Sequence, residues 1–425
     1  MVRRILNKFV EPTAFIVVFF VIVNRVIIGG GWINIAHSTF EKVILECILW
    51  VLDGVLFLWI ASQNKNSSEY VPFWKKNWLL LVFILYAISS LFWSEFLVVS
   101  LYKIYVLFFC SAITAYIGIT YPIRIIFDKL TWFFIVAVIL SYGMVLIFPV
   151  VSIHQFDENA GAWRGLFFQK NTLGIMMALG SVVFLYGFSF GGKKPRVQFL
   201  NICLFILAAG LVFLSRSAAG ILIFLILIAC AMVVFAWVKW NHKLNRIHYV
   251  FIGCFTGLLV ILALAKLDFL LGLLHKNSTL TGRVPFWSYL IHSGVSKHLL
   301  FGGGFGYPWA SDPFRLATQA AIGWGIAPVT AHNGYIDIFL HFGLVGILLL
   351  VFILLLCIYQ AIRYFLQERT ILSSFPMILV VFILLINISE SFFLELESFA
   401  WFLLVILLFS TTPLKKKDPI PTGDS

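Results

Sequence analysis

Along most of its length the chain alternates between apolar blocks of 16 to 25 residues and short polar connections. Crossing the hydrocarbon of a bilayer takes a helix of roughly 20 mostly apolar residues. Strands of a membrane barrel would show about ten alternating residues per segment instead. The block pattern therefore predicts twelve spanning helices, near 13–29, 43–61, 78–95, 99–119, 131–150, 172–190, 197–214, 218–238, 249–273, 335–358, 375–392 and 397–412. One connection breaks the rhythm. Residues 274–334 contain TGRVPFWSYLIHSGVSKH and then FGGGFGYPWASDPF, which is too apolar for a disordered linker. A loop of that length and composition is usually functional. It predicts a short helix near 284–297 at the membrane surface, followed by a tight glycine turn.

Composition supports an all-α polytopic membrane protein: 62% of the 425 residues are hydrophobic and 11% charged. The chain divides into 1–273 with nine spans, the loop 274–334, 335–412 with three spans, and the tail 413–425. No internal repeat is evident. MVRRILNKFVEPTAF leads into the first apolar block without a small-residue cleavage site, which reads as a retained span. All six cysteines fall within apolar runs, so neither a disulfide framework nor a zinc site is indicated.

The formal charge of +12 has a topological reading rather than a nucleic-acid one. Nineteen of the 30 basic residues lie in the connections on one side, and eight on the other. Positive-inside bias puts both termini in the cytoplasm and turns the long loop outward. Of the outward arginines, three stand beside spans or at the start of the predicted loop helix: Arg164 in AWRGLFFQKNTLG, Arg216 in FLSRSAAG, and Arg283 in LTGRVPFW. A guanidinium stays charged and grips phosphate oxygens with two parallel donors. Arginines placed against the topological bias thus read as an anion clamp, with Lys170 close by; singly, each anchors a helix end.

His332 stands on the outer side immediately before a span. A neutral imidazole there accepts a proton from a hydroxyl, which is general-base work. Asn333 suits the cap of the following helix. Gly343 and Gly346, three apart, would let a neighbouring helix approach closely. Asp337 and His341, four apart in the same span, read as local polar packing. Glu390, near the outer end of the eleventh span, would hold a clamp arginine or orient His332. Glu46 and Asp53 in the second span would pair with Arg25 or Lys103. The outer face shows neither an Asp-x-Asp pair nor a His/carboxylate cluster, so metal-dependent glycosyl transfer is not indicated.

His332-Asn333, nine residues, Gly343, two residues and Gly346 resemble the H-[NSQ]-x9-G-x-x-G signature of bacterial O-antigen ligases and related polysaccharide polymerases. RGLFFQKNTLG resembles a segment of the exopolysaccharide-polymerase branch. LTGRVPFW followed by LLFGGGFG resembles the outer loop of the family. The resemblance implies an enzyme of the bacterial inner membrane with a periplasmic site. It would move a glycan from undecaprenyl diphosphate to an acceptor hydroxyl, with inversion at the anomeric carbon, and use no metal and no cofactor. It further implies that Arg164, Arg216, Arg283 and Lys170 bind the diphosphate and that His332 activates the acceptor. Asn333, Glu390, Gly343 and Gly346 would support the site, and Trp163, Trp287 and Tyr307 would contact sugar or acceptor. The partners implied are the lipid-linked glycan, the bilayer, and either lipid A–core or a growing polysaccharide, with no nucleic acid. Ligase-type transfer to lipid A–core ranks first and repeat-unit polymerisation second. A third class, a transporter of lipid-linked glycans, calls for repeats and mid-membrane polar residues. The candidate groups gather at the outer face instead.

Overall fold

The computed structural model describes residues 71–155, 159–190, 194–240, 283–295, 298–394 and 399–412. These residues are helical apart from connections and an isolated antiparallel bridge between Ile153 and Trp163. The principal helices are α1 (Trp78–Ser89), α2 (Leu97–Thr120), α3 (Ile123–Ile147), α4 (Lys170–Phe190), α5 (Pro195–Leu214) and α6 (Ala218–Trp240). They continue as α7 (Arg283–Val295), α8 (Asp312–Ile322), α9 (Gly334–Glu368), α10 (Phe375–Ser389) and α11 (Phe399–Ser410). Among the described residues seven helical segments are long and apolar enough to cross a membrane: α2 to α6, α9, and Leu372–Ser389 containing α10. The apolar helices α1 and α11 are shorter. Three of the twelve expected spans, 13–29, 43–61 and 249–273, lie outside the described residues.

The sequence of α11 is apolar on every side, and every residue from Phe399 to Phe409 is buried. A helix with no polar face belongs at the centre of its bundle. Its few polar contacts fix its register: the indole of Trp401 donates to Ser111 Oγ of α2 at 2.8 Å. At its far end Asn77, wholly buried, donates to Thr412 Oγ1 at 2.9 Å and accepts from Gln360 of α9 at 2.9 Å. Large apolar side chains remain exposed on the outer helices, including Trp132, Ile139, Phe199, Ile206, Leu225, Met232, Phe352 and Leu355. An exterior of this kind suits hydrocarbon rather than water.

Two small-residue contacts shape the region that matters most. A Cβ added to Gly220 would lie 2.6 Å from the Gly174 carbonyl carbon, and one added to Gly174 would lie 2.6 Å from Ser215 Oγ. The turn between α5 and α6 is thereby drawn onto the start of α4. The second contact corrects an expectation. Gly343 does not meet a neighbouring helix; it interrupts α9, with φ 62° and ψ −159°. A Cβ there would lie 2.4 Å from the carbonyl of Leu300. The glycine loop enters the break and takes up the freed backbone groups. Leu344 and Val345 donate to Leu299 and Leu300 at 2.9 and 3.1 Å, while Gly303 and Gly304 donate to Leu340 and His341 at 3.0 Å each. Gly346 faces its own helix, where an added Cβ would sit 2.1 Å from Phe342 Cβ.

Among the described residues, the long connection before α9 holds two helices rather than the single one expected. α7 occupies the predicted place, and α8 follows the glycine turn. Ser311 caps α8 by accepting from the Phe314 amide, Pro313 sits in its first turn, and Gly323 ends it in the left-handed region with φ 69°. These are ordinary start and stop signals.

The Gly343 break makes a paired prediction. Gly343→Ala forces a left-handed alanine into the Leu300 carbonyl and should cost at least about 2 kcal/mol. Gly143→Ala adds a methyl where nothing lies within 4 Å. It should leave stability unchanged or raise it by up to about 1 kcal/mol. Thermal unfolding of both variants in the same detergent checks the contrast.

Candidate active site

Glu390 is the first residue after α10, and its amide still donates back to Ile386 at 3.0 Å. Its carboxylate collects donors from three distant segments. Oε1 accepts from Arg283 Nη2 at the start of α7 and from Asn171 Nδ2 at the start of α4, both at 2.9 Å. Oε2 lies 3.0 Å from His332 Nδ1. Arg283 also donates through Nη1 to the Ser389 carbonyl. Burial by itself would raise the Glu390 carboxyl, but the His332 hydrogen bond, the Arg283 charge and the Arg283 hydrogen bond outweigh it and hold the group at about 2. Glu390 is therefore an ionised acceptor. In the tautomer whose Nδ1 donates to it, the imidazole of His332 has its lone pair on Nε2.

The backbone around His332 is shaped for this contact. His332 has φ 48°, a left-handed conformation that costs a non-glycine residue about 1–2 kcal/mol. Asn333 caps α9, accepting from the amides of Tyr335 and Ile336 at 3.0 and 3.2 Å. The Asn333 amide donates to Ser391 Oγ at 3.1 Å, and its side chain donates to the Ile388 carbonyl at 3.3 Å. Gly334 permits this seating, since a Cβ there would lie 2.2 Å from Asn387 Oδ1. The start of α9 and the end of α10 are thus one joint, and His332 and Glu390 face each other across it. The side chain of His332 keeps 27% of its surface exposed. Beside it stands Trp324, with ring centroids 6.0 Å apart, itself packed on Phe286 at 4.8 Å.

The other basic residues gather around a turn between α3 and α4. The turn is closed by His154 donating to Ala162 at 2.9 Å and Gly161 donating to His154 at 2.8 Å. Arg164 donates through its amide to Ser152 at 2.9 Å and through Nε to the Val151 carbonyl. Arg216, in the three-residue connection between α5 and α6, is also left-handed (φ 51°), and its Nη1 donates to Ala160 at 3.1 Å. Trp163 ties the two connections together by donating its amide to Leu214 at 3.0 Å, and its ring packs on Tyr142. Lys170 opens α4, next to the Asn171 that reaches Glu390. The imidazole of His154 is pushed down in pKa by burial and then by the charges of Arg164 and Lys170.

The structure thus sorts the expected residues. His332, Asn333, Glu390 and Arg283 meet at one joint; Arg164, Arg216, Lys170 and Trp163 share the neighbouring turn, with Asn171 as the link. Trp287 lies under the histidine loop, its indole donating to the Ala331 carbonyl at 2.8 Å. Tyr307 sits elsewhere: its carbonyl meets His341 Nδ1 and its ring packs on His298 and Phe314. Asp337 and His341 sit as buried local polar groups, Asp337 accepting from Trp309 and Ala331 and His341 Nδ1 meeting the Tyr307 carbonyl. Asn171 and Trp324 were not among the expected site residues. Among the described residues no three His, Cys, Asp or Glu side chains come together as a metal site.

Residues 203–351 match the O-Antigen ligase family, a stretch that includes Arg216, Arg283, His332, Gly343 and Gly346. The chain is 25% identical over 240 residues to the exopolysaccharide production protein ExoQ of Rhizobium meliloti (strain 1021). That alignment covers 55% of this chain and 53% of the relative, so the chain spans about half the length of the curated protein it matches. Both findings support the O-antigen ligase and polymerase superfamily.

The Glu390 joint predicts its own fragility. Glu390→Ala leaves Arg283 without its counter-charge and should cost about 3 kcal/mol. A carboxyl held below its usual range stabilises the fold above the ordinary pKa of 4.5, and that stability fades as pH falls toward about 2. Glu390→Gln should therefore flatten the acid limb of the stability profile between those values. Unfolding midpoints of wild type and variant measured across that range check the sign.

Proposed function

We propose that this chain, a membrane protein of the O-antigen ligase and polymerase superfamily, transfers a glycan from undecaprenyl diphosphate to an acceptor hydroxyl at the periplasmic face of the inner membrane. The observation that carries the reading is the His332–Glu390 contact, which leaves an imidazole lone pair directed away from its partner. In this reading Nε2 takes the proton of the acceptor hydroxyl while its oxygen attacks the anomeric carbon. The bond to the diphosphate breaks, with inversion at that carbon, and negative charge grows on the leaving group. Arg164, Arg216 and Lys170 bind and stabilise that charge. Arg283, engaged with Glu390, adds positive charge beside the base. The half-buried rings of Trp163 and Trp287 offer faces for sugar. No step calls for a metal or a cofactor.

Transfer of a finished glycan to lipid A–core is the first reading, in line with the description of the matched family. Polymerisation of repeat units on the same lipid carrier is the second, favoured by the name of the relative. The two share donor, clamp and base and differ only in the acceptor.

Purified protein in nanodiscs, given an undecaprenyl-diphosphate oligosaccharide with either lipid A–core or a second lipid-linked oligosaccharide, separates them by the acceptor consumed. His332→Ala should lower turnover about 10³-fold while leaving donor binding within twofold. Arg164→Ala and Arg216→Ala should each weaken donor binding about tenfold. Full turnover by His332→Ala, or unchanged donor binding in both arginine variants, would remove this reading.

A further inference from the structure

We propose that Asp337 is a positioning residue for His332, holding the amide of the preceding Ala331 and thereby aiming the imidazole at Glu390. The proposal rests on reading His332 as the base. Asp337 lies in the first turn of α9 and is 4% exposed. Its Oδ1 accepts from the Ala331 amide at 3.0 Å and from the Trp309 indole at 2.8 Å, and Oδ2 lies 3.3 Å from the same amide. From the other side the Ala331 carbonyl accepts from the Trp287 indole at 2.8 Å. The two peptide units that flank Ala331 are thus held by α9 and by α7, while the Trp309 indole fixes the carboxylate that does the holding. Ala331 is itself wholly buried, in a small apolar cluster with Phe286, Leu290, Trp309 and Leu340.

The next residue is His332 in its left-handed conformation. Local backbone contacts at His332 are modest: among the described residues its amide reaches Thr330 Oγ1, at 3.3 Å. A strained backbone persists where its surroundings over-determine it. Here the determinant upstream is the Ala331 anchor and the determinant downstream is the Asn333 cap. Without the upstream anchor the backbone relaxes toward negative φ, and the direction of the imidazole changes with it. A carboxylate suits the task for two reasons. One oxygen serves two donors, and the charge lies at the positive end of the α9 dipole. A displacement on the order of 1 Å in a catalytic group lowers turnover about 10²-fold.

The test reads the imidazole directly. Protein labelled with ¹⁵N histidine is placed in nanodiscs, and the His332 signals are assigned by their loss in His332→Gln. Wild type should show Nδ1 protonated and Nε2 bare. Asp337→Ala should replace that signature with mixed tautomers and lower turnover about 100-fold, with donor KM within twofold of wild type. Asp337→Asn, which keeps an acceptor oxygen in place, should restore the signature and bring turnover within tenfold of wild type. If Asp337→Ala does not fold, Asp337→Thr, close in size but too short to reach the amide, carries the same expectation. A wild-type His332 signature in either reaching-deficient variant overturns the proposal, whether or not His332 proves to be the base. Full turnover by His332→Ala would instead overturn the base assignment and leave the spectroscopic result standing.

Discussion

The buried carboxylate of Glu390 is the point on which the rest of the site depends. It joins four places in the chain that are far apart in sequence: the start of α4, the start of α7, the loop before α9 and the end of α10. Removing a carboxylate from water is costly, and the cost is offset only when its oxygens are fully used. Arg283, Asn171 and His332 meet that requirement together, so the position of each is conditional on the others. The same ionised acceptor favours the His332 tautomer that donates from Nδ1. Structure and proposed chemistry therefore share one set of bonds.

Around that joint the fold solves a problem peculiar to membranes. Irregular backbone at membrane depth is tolerated only where protein satisfies its polar groups. Here α9 breaks at Gly343, and the loop from Leu299 to Gly304 supplies the missing donors and acceptors. The loop before α9 is consequently anchored inside the span rather than resting on it. Because α9 begins at the site and breaks two and a half turns later, the loop and the His332 joint are held by the same segment. Gly174 and Gly220 do the equivalent work on the other flank, pressing the Arg216 turn against the start of α4.

Much of this was legible in the chain. Apolar blocks predicted α2, α4, α5, α6 and α10 within a few residues, since hydrocarbon thickness sets their length. Helix α3 starts eight residues before its expected block, and α9 runs ten residues beyond its own. His332, Glu390 and the arginines stood out as charged or titratable groups at the outer ends of those blocks. What escaped the reading were relations that local spacing does not encode. Asn171 looked like a residue at a helix start, yet its partner Glu390 is 219 positions away. Asp337 and His341 had the spacing of a local polar pair, and their partners Trp309, Ala331 and Tyr307 lie on the connection before α9, which that spacing does not reveal. Gly343 and Gly346 resembled a helix-packing motif, whereas a positive φ at Gly343 serves a break. The second loop helix carried readable caps at Ser311 and Gly323, overshadowed by the glycine run just before it.

The central claim is that His332 and Glu390 act as one unit in activating the acceptor. A double-mutant cycle on turnover, comparing His332→Ala, Glu390→Gln and the combined variant with wild type in nanodiscs, tests it most directly. The account predicts that the combined variant is no slower than His332→Ala alone, because Glu390 acts through the imidazole. Losses that multiply, with the double variant slower by the product of the two single effects, would contradict it.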